Sequence, residues 1–311
     1  MQISFDPVEI VEIGPRDGLQ NLKTVVPTEQ KVSLIRHLSE SGIKQIQIGG
    51  FVSPKAIPQF HDIKAIAKET LETIAGIEFS SLTPNLKGVE NALESGIRHI
   101  TFVFSVSQAH NLNNVRKTPE ESLSELENIM HVLAQNPDVD LNVDLATAFG
   151  CPYTLVVPSE TVIHYVKKTC ALGIKRITLC DTIGYGNPRQ VTELVSSCRD
   201  LFPDVVFRCH FHNTRGLGLA NSLAAYMAGI RSFDSSIGGL GGCPYAPGAT
   251  GNISTEDLVF MFNEMEIATG VDLEKLFAST SYLTEILPDV CLESQLFRAK
   301  PPRTHRFVQD Q

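Results

Sequence analysis

Two kinds of segment alternate along this chain: short runs of apolar, often β-branched residues, and longer stretches whose apolar residues recur with helical spacing. The predicted strands are Val8–Ile13, Gln45–Gly49, Glu78–Leu82, His99–Ser105, Asp140–Thr147, Arg176–Cys180, Val205–His212 and Ser232–Ile237. The predicted helices between them are Thr28–Ser41, Asp62–Thr73, Asn85–Ser95, Pro119–Gln135, Pro158–Leu172, Pro188–Leu201 and Leu217–Ala228. Many of these helices open with Pro or Thr and several are followed by Gly, which is the asymmetry typical of helix ends.

Eight strands that alternate with helices over roughly 240 residues predict an α/β fold, a (β/α)8 TIM barrel. An open doubly wound sheet is the alternative, but no G-x-G-x-x-G motif follows the first strand. Beyond the eighth strand, Thr255–Thr269 and Leu273–Ile286 predict extra C-terminal helices with no strand between them. We expect a single domain over residues 1–311, with the barrel over about 8–250 and a helical cap over about 251–300.

The charge balance narrows the classes of partner. Lysine and arginine total 26 against 35 acidic residues, a net charge of −9, which argues against nucleic acid and acidic membrane surfaces as partners. No apolar run approaches about 20 residues, so no transmembrane helix is predicted, and the start lacks a secretory-signal pattern. Seven cysteines without a C-x-x-C pair indicate reduced thiols and a cytoplasmic protein.

Two histidines end the seventh predicted strand, in the segment RCHFHNTRGLGLAN. His210 and His212 are two residues apart, so their imidazoles share a face of the strand and can hold a divalent metal. A Gly-rich turn and a helix follow, which places the pair at the ligand-binding edge of a parallel α/β protein. An H-x-H pair is often incidental, but this context favours a metal site.

The first predicted strand ends in GPRDGLQ, the first turn on the same face of the barrel. Asp17 offers a hard oxygen ligand, and with two imidazoles it forms a mixed site suited to Mg²⁺ or Mn²⁺. Arg16 offers a fixed cation that can stabilise a developing oxyanion. A surface ion pair between these two neighbours is the alternative interpretation.

The eighth strand runs into GGLGGCPYAPGATGN, whose glycines allow close backbone approach to a ligand and favour a mobile lid. Cys243 lies at its centre and is a candidate acid or base, and Asn252 can give the metal a neutral oxygen. A flexible loop with an idle thiol is the alternative. Cys151 lies in a second Gly-Cys-Pro-Tyr after the fifth strand, and the residues alone do not say which cysteine reacts.

Side-chain parity selects further candidates on the second and fifth strands. Barrel strands are expected to be apolar on both faces unless they line a site, so Gln47 and Asp144 are predicted to form part of the pocket wall. Asn142 shares the face of Asp144, and hydrogen-bonded filling of the barrel is the alternative for these polar residues. Asp181 and Thr182, at the end of the sixth strand, can orient a ligand or cap the next helix.

Jointly, these motifs resemble the 3-hydroxy-3-methylglutaryl-CoA lyase family, within a wider group of metal-dependent barrels that make or break bonds next to an acyl-CoA. The resemblance runs from about Val8 to about Leu276. It is carried by GPRDGLQN, FVSPKAIPQ, GCPY, DTIGYG, HFHNTRG and DSSIGGLGGCPYAPGATGN, which are highly specific together although each alone is not.

The resemblance implies a TIM barrel with a divalent metal, Mg²⁺ or Mn²⁺, held by Asp17, His210, His212 and Asn252. It implies catalysis by Arg16, Asp17 and Cys243, with Arg16 at the enolate oxygen, and it selects Cys243 over Cys151. The expected substrate-binding residues are Arg16, Gln20, Gln47, Asn142, Asp144 and Thr182.

The implied chemistry is retro-Claisen cleavage of a 3-hydroxyacyl-CoA. The metal lowers the pKa of the substrate hydroxyl, a base removes its proton, and the carbon–carbon bond breaks. For the methylglutaryl substrate the products are acetyl-CoA and acetoacetate, which implies a place in leucine degradation and ketone-body formation. We also expect a homo-oligomer, a dimer, that acts on a small-molecule acyl-CoA.

Four positions depart from the pattern of the family. Gln47 stands where a Glu is usual, Asn142 and Asp144 stand where an Arg and a Tyr are usual, and Asn213 replaces the Asp of His-Asp-Thr. The metal-binding motifs are retained, but an Arg that can hold a substrate carboxylate is absent. We therefore expect an altered acyl group.

The leading hypothesis is a divalent-metal lyase acting on hydroxymethylglutaryl-CoA or a close 3-hydroxyacyl-CoA. The alternatives are a sibling lyase, for example on citramalyl-CoA, a condensing synthase, and an acyl-CoA-binding protein of the same fold without turnover. Arg16, Asp17 and Cys243 argue against loss of turnover, and the Gly-rich loop fits lyases better than synthases.

Overall fold

The computed structural model describes residues 6–241 and 251–299 and shows a closed barrel of eight parallel strands. The strands are β1 (Glu9–Glu12), β2 (Gln45–Gly50), β3 (Glu78–Thr83), β4 (His99–Ser105), β5 (Asp140–Ala146), β6 (Arg176–Asp181), β7 (Val206–Phe211) and β8 (Ser232–Ser235). β8 pairs with β1, and this pairing closes the sheet. The predicted (β/α)8 barrel is confirmed, and the open doubly wound sheet is excluded.

Helices cover the outside of the barrel and continue beyond β8. They are α1 (Thr28–Glu40), α2 (Ile63–Thr73), α3 (Leu86–Glu94), α4 (Gln108–Val115), α5 (Pro119–Leu133), α6 (Ser159–Ala171), α7 (Pro188–Leu201), α8 (Gly218–Met227), α9 (Thr255–Glu264), α10 (Leu273–Ile286) and α11 (Gln295–Ala299). The predicted extra helices correspond to α9 and α10, and α10 packs against α1 and α9. No helix of the described residues is long and apolar enough to cross a membrane.

The two faces of β5 differ sharply in polarity. In β5, Leu141, Val143 and Leu145 belong to the hydrophobic core that lies between the strands and the helices. Asn142 and Asp144, on the opposite face, bond to each other inside the barrel. The apolar core therefore lies outside the barrel, and polar side chains fill its interior.

The sequence pattern did not predict α4, and it set the end of α9 too late. α4 contains three asparagines, which are poor helix formers, but Asn111 accepts a hydrogen bond from the Ser105 amide (2.8 Å) and donates one to Ser122 (2.8 Å). α9 ends at Glu264 rather than Thr269 because Glu266 adopts a left-handed conformation with φ = 59°. Glycine usually marks such an end, so Glu266 gave no signal.

Candidate active site

Arg16 and Asp17 lie on a single π-helical turn, Gly14–Gly18, directly after β1. This turn packs closely against the segment that follows β8. A Cβ at Gly18 would lie 2.9 Å from the Cβ of Leu240, so only glycine permits this approach. Single π-helical turns occur frequently at functional sites, and here the turn directs both side chains into the barrel mouth.

Asp17 is buried and surrounded by donors. Its Oδ1 contacts the Arg16 guanidinium and accepts a hydrogen bond from Gln20 (2.9 Å), and its Oδ2 accepts one from the Asn252 amide (2.7 Å). Burial acts to raise the pKa of Asp17, but the Arg16 guanidinium and the His210 and His212 imidazoles lower it well below its usual range. The carboxylate is therefore ionised at neutral pH.

The imidazoles of His210, in β7, and His212, directly after it, converge on this carboxylate, as their parity predicted. One ligand atom each from Asp17, His210 and His212 lies within 4.8 Å of the other two, and all three side chains are buried. His212 Nε2 lies 4.0 Å from Asp17 Oδ2. Burial and the neighbouring His210 lower the pKa of His212 to about 4, so this imidazole is neutral and its lone pair can serve a metal.

Asn252 completes the group from the other side. Its amide Nδ2 donates to Asp17 Oδ2 and to the carbonyl oxygen of Leu240 (3.0 Å), whereas its buried Oδ1 has no hydrogen-bond partner among the described residues. An amide oxygen left without a partner beside two imidazoles and a carboxylate is a neutral oxygen donor. The donor set therefore fits a divalent cation such as Mg²⁺ or Mn²⁺.

A cavity of about 430 Å³ opens above this group at the carboxyl ends of the strands. Seven of the residues predicted from the sequence line it: Arg16, Asp17, Gln20, Asp144, Thr182, His210 and His212. Apolar side chains also line it, among them Val52, Ile57 and Val115. The cavity thus combines apolar walls with a few convergent polar groups, the form expected of a small-molecule site.

Gln47 and Asn142 lie behind the wall of this cavity. The Gln47 side chain accepts a hydrogen bond from Arg16 Nε and donates one to Thr101 (3.1 Å). Asn142 donates to Asp144 (2.7 Å) and lines a smaller, lower cavity in the barrel. Parity placed both residues correctly inside the barrel, but their depth depends on the register of the strands.

Asp144 and Thr182 have different local roles. Burial and the charge of Asp234 raise the pKa of Asp144 to about 6, and this carboxyl forms part of the cavity floor. Thr182 Oγ1 accepts a hydrogen bond from the Thr147 amide (2.8 Å) at the cavity wall. Asp181 accepts hydrogen bonds from the amides of two residues in the turn after β6 and does not cap α7.

Sequence reasoning missed His110 and Lys117, which both line the cavity. His110 is buried on α4, and its Nδ1 lies 2.6 Å from the Ser105 hydroxyl. Lys117 pairs with Glu125 (2.8 Å) at the other end of the same segment. The unpredicted helix explains both omissions, because without α4 nothing placed residues 108–117 over the barrel mouth.

Two buried glutamic acid side chains position the loops that carry the site. Glu12 accepts hydrogen bonds from the amides of Gly14 (2.6 Å) and Ile237 (2.9 Å), and so joins the turn after β1 to the segment after β8. Glu256 accepts from the Gly238 amide (3.0 Å) in the same segment. Burial raises the pKa of Glu12 to about 8.

The structure describes one of the two candidate cysteines. Cys243 lies outside the described residues. Cys151 is buried after β5, its Sγ lies 3.0 Å from the Ser107 hydroxyl, and it is not among the residues that line the cavity. Its surroundings are those of a packed structural thiol.

Comparison with known proteins places the chain in a family. The HMGL-like family profile matches residues 7–282. Hydroxymethylglutaryl-CoA lyase YngG of Bacillus subtilis is 43% identical over 278 residues, which are 89% of this chain and 92% of that protein. The (R)-citramalyl-CoA lyase of Chloroflexus aurantiacus is 39% identical over 292 residues, 91% of this chain and 92% of that protein.

Solved structures agree with this placement. An HMG-CoA lyase from Acinetobacter baumannii, in complex with coenzyme A and 3-methylmalate, superposes with a TM-score of 0.91 at 42% identity, over 98% of this chain and 99% of that one. The HMG-CoA lyase of Bacillus subtilis gives a TM-score of 0.90 at 41% identity, over 96% and 99% of the two chains. The chain therefore belongs to the HMGL-like family of carbon–carbon lyases, as its motifs predicted.

Proposed function

We propose that this protein is a divalent-metal-dependent lyase that cleaves a 3-hydroxyacyl-CoA, hydroxymethylglutaryl-CoA or a close analogue, to acetyl-CoA and a keto acid. The observation that carries the proposal is the convergence of Asp17, His210 and His212 beside Arg16 on the floor of a cavity of about 430 Å³. A metal site alone is compatible with many reactions. The guanidinium beside it narrows the choice to reactions that form an enolate next to the metal, because its positive charge stabilises the enolate oxygen.

Asp17, His210, His212 and Asn252 would hold the cation. When bound, a divalent cation acts as a Lewis acid that lowers the pKa of a substrate hydroxyl. Asp17 would supply the anionic ligand, since its carboxylate stays ionised, and the neutral His212 would supply a nitrogen. Asn252, whose Oδ1 has no hydrogen-bond partner among the described residues, would supply a neutral oxygen.

Arg16 would stabilise the thioester enolate. Its Nε is fixed by Gln47 and one Nη by Asp17, so the guanidinium plane is held while other N–H groups stay free to donate. In the cleavage, a general base takes the hydroxyl proton, and the electrons of that O–H bond form the keto group. The electrons of the broken carbon–carbon bond form the acetyl-CoA enolate, which a proton donor then converts to acetyl-CoA. We assign that proton transfer to Cys243, on the Gly-rich segment after β8.

Asp144 would set the preference for the acyl group. It places a carboxyl on the cavity floor, held by Asn142, which itself stands where the family pattern has an Arg. A carboxylate that extends to this floor meets a like charge and has no bidentate partner. This favours an acyl end that is shorter or less anionic than methylglutaryl. A sibling activity on citramalyl-CoA, yielding pyruvate, is therefore the second candidate.

A coupled assay separates the two candidates. The purified protein with Mg²⁺ or Mn²⁺ is given hydroxymethylglutaryl-CoA, citramalyl-CoA and a 3-hydroxyacyl-CoA with a neutral acyl end, and kcat/KM is measured for each. The triple variant Gln47→Glu, Asn142→Arg, Asp144→Tyr is the comparison and should shift preference toward hydroxymethylglutaryl-CoA. If the unmodified enzyme already prefers that substrate, at roughly 10⁴–10⁸ M⁻¹s⁻¹, the acyl-pocket argument is wrong. Absence of cleavage of all three would reject the lyase proposal.

Further proposals concern the domain organisation, the assembly, the location and the native metal ion of the protein. We infer that residues 1–311 act as a single catalytic domain, as a cytoplasmic homodimer, with Mg²⁺ or Mn²⁺ as the native ion. A place in leucine degradation and ketone-body formation holds only if hydroxymethylglutaryl-CoA is the preferred substrate. Light scattering during size-exclusion chromatography tests the dimer, and metal analysis of the purified protein tests the ion.

A further inference from the structure

The two imidazoles of the metal group have different surroundings on the side away from the metal. His210 Nδ1 lies 3.3 Å from Oδ2 of Asp234, so a carboxylate supports this ring from behind. His212 Nδ1 is buried and has no hydrogen-bond partner among the described residues. The two histidines of the metal group therefore differ in what holds each ring in place.

Asp234 is placed by the register of the barrel. It lies on β8 directly opposite His210 on β7, and its side chain is 5% exposed. A carboxylate that accepts the Nδ1–H of a histidine fixes the ring orientation and leaves Nε2 with a free lone pair. Such a carboxylate behind a metal-binding histidine commonly raises the affinity of the site for its ion.

Arg208 links this carboxylate to the barrel interior below. It lies two residues before His210, on the same face of β7, and its Nη1 is 3.5 Å from Oδ1 of Asp234. Arg208 is itself fixed by hydrogen bonds to Ser232 (3.0 Å) and Gln45 (2.8 Å). The guanidinium compensates the charge of Asp234, which would otherwise be a second buried carboxylate near Asp144.

We propose that Asp234, in an ion pair with Arg208, is a positioning residue that orients His210 for metal binding. The inference rests on the proposed metal site and extends it to two residues that contact neither the metal nor the substrate. Arg208 and Asp234 lie beneath the site, and neither side chain lines the cavity.

Metal affinity tests the proposal without relying on turnover. The full chain is stripped of metal and titrated with Mn²⁺, and free Mn²⁺ is followed by electron paramagnetic resonance. Asp234→Asn should weaken Mn²⁺ binding by about 10–100-fold, and Asp234→Glu should recover part of the loss. Arg208→Met should weaken binding by a smaller factor. Asp140→Asn, a matched change at the first residue of β5, should leave it unaltered. Wild-type affinity in Asp234→Asn would overturn the proposal.

A double-mutant cycle shows whether Asp234 acts through His210. In a His210→Ala background, Asp234→Asn should cause little further loss, because the ring that it orients is gone. An equal further loss would mean that Asp234 acts on the fold in general and would overturn the proposal. If the unmodified protein binds no Mn²⁺, or if His212→Ala binds it normally, the proposed metal site itself fails, which is a distinct result.

The tautomer of His210 can be read in the unmodified protein. In ¹⁵N spectra of the metal-free protein at alkaline pH, where the imidazole is uncharged, His210 should carry its proton on Nδ1, with a pyridine-like Nε2. This measurement does not depend on whether any Asp234 variant folds. A proton fixed on Nε2 instead would overturn the proposal.

Discussion

The two ends of the barrel interior are both polar, but their charges are arranged differently. At the lower end, the first residues of several strands pair with one another: Arg176 with Asp140 (2.8 Å), His99 with Asp140 (3.8 Å), and Arg208, from further along β7, with Glu9 (3.8 Å). At the upper end, Asp17 and two imidazoles converge on one point, and several buried polar atoms lack partners among the described residues.

This difference separates a structural end from a functional one. The His99 imidazole and the charge of Arg176 lower the pKa of Asp140, whereas burial raises the pKa of Asp144 to about 6. The lower charges satisfy one another and need no ligand. The upper side chains converge without satisfying one another, and this leaves room for a cation and a substrate. A polar barrel interior is therefore not evidence of a site by itself. The evidence is that metal-binding atoms converge and lack protein partners.

The largest expected effect is at the metal group. His212→Ala should abolish measurable turnover and Mn²⁺ binding, because it removes one of three convergent ligands. His99→Ala, at the lower end, is the matched control and should retain both. Steady-state kinetics and metal titration check the pair of variants. Full activity in His212→Ala would show that the upper group is not the metal site.

The next effect separates the two cysteines. Cys243→Ser should reduce kcat by about 10²–10⁴-fold, the usual contribution of a general acid or base. Cys151→Ser should retain most activity, because Cys151 is buried against Ser107 and does not line the cavity. Both variants are assayed with saturating substrate and metal. Equal losses would contradict the assignment of the reactive thiol.

Glu12 should make stability depend on pH. Burial raises the pKa of Glu12 to about 8, above its unfolded value near 4.5, so between these values the folded state holds a proton that the unfolded state has lost. The contribution of Glu12 to the free energy of unfolding should therefore fall as pH rises from 4.5 to 8, by a few kcal/mol at about 1.4 kcal/mol per pKa unit.

Urea unfolding at pH 5 and pH 8 measures this dependence. Glu12→Gln should reduce the loss of stability between these pH values, because a neutral side chain then replaces the buried carboxyl. The exposed Glu29→Gln variant is the control and should keep the wild-type slope. The same slope in Glu12→Gln and the wild type would show that Glu12 does not titrate in this range.

The smallest effect is expected at the lower end. Asp140→Asn removes the carboxylate shared by His99 and Arg176, which are both partly exposed. Because exposed ion pairs contribute little, the free energy of unfolding should fall by only about 0–1 kcal/mol, and kcat/KM should not change. Thermal or urea unfolding together with the lyase assay checks both quantities. A large loss of activity would mean that the two ends are coupled.

Local sequence patterns predicted most of the fold and much of the site. The strand period of two identified the shared face of His210 and His212, and the position of Asp17 after a strand placed it at the same end of the barrel. The sequence pattern did not predict α4, which contains three asparagines. Hydrogen bonds of Asn111 with Ser105 and Ser122 stabilise this helix, and both serines lie outside the helix itself.

By itself, the sequence determined the alternation of strands and helices, the faces of the strands and, through its motifs, the family, since these depend on residues close together in the chain. Tertiary structure alone decided which side chains meet across strands: Asp234 lies behind His210 because the register between β7 and β8 sets the two residues at the same height. Closure of β8 onto β1 brings Asn252 to Asp17, 235 residues apart, to complete the candidate metal group. Pairing over such distances is fixed by the packing of the whole barrel, which no local window of sequence contains.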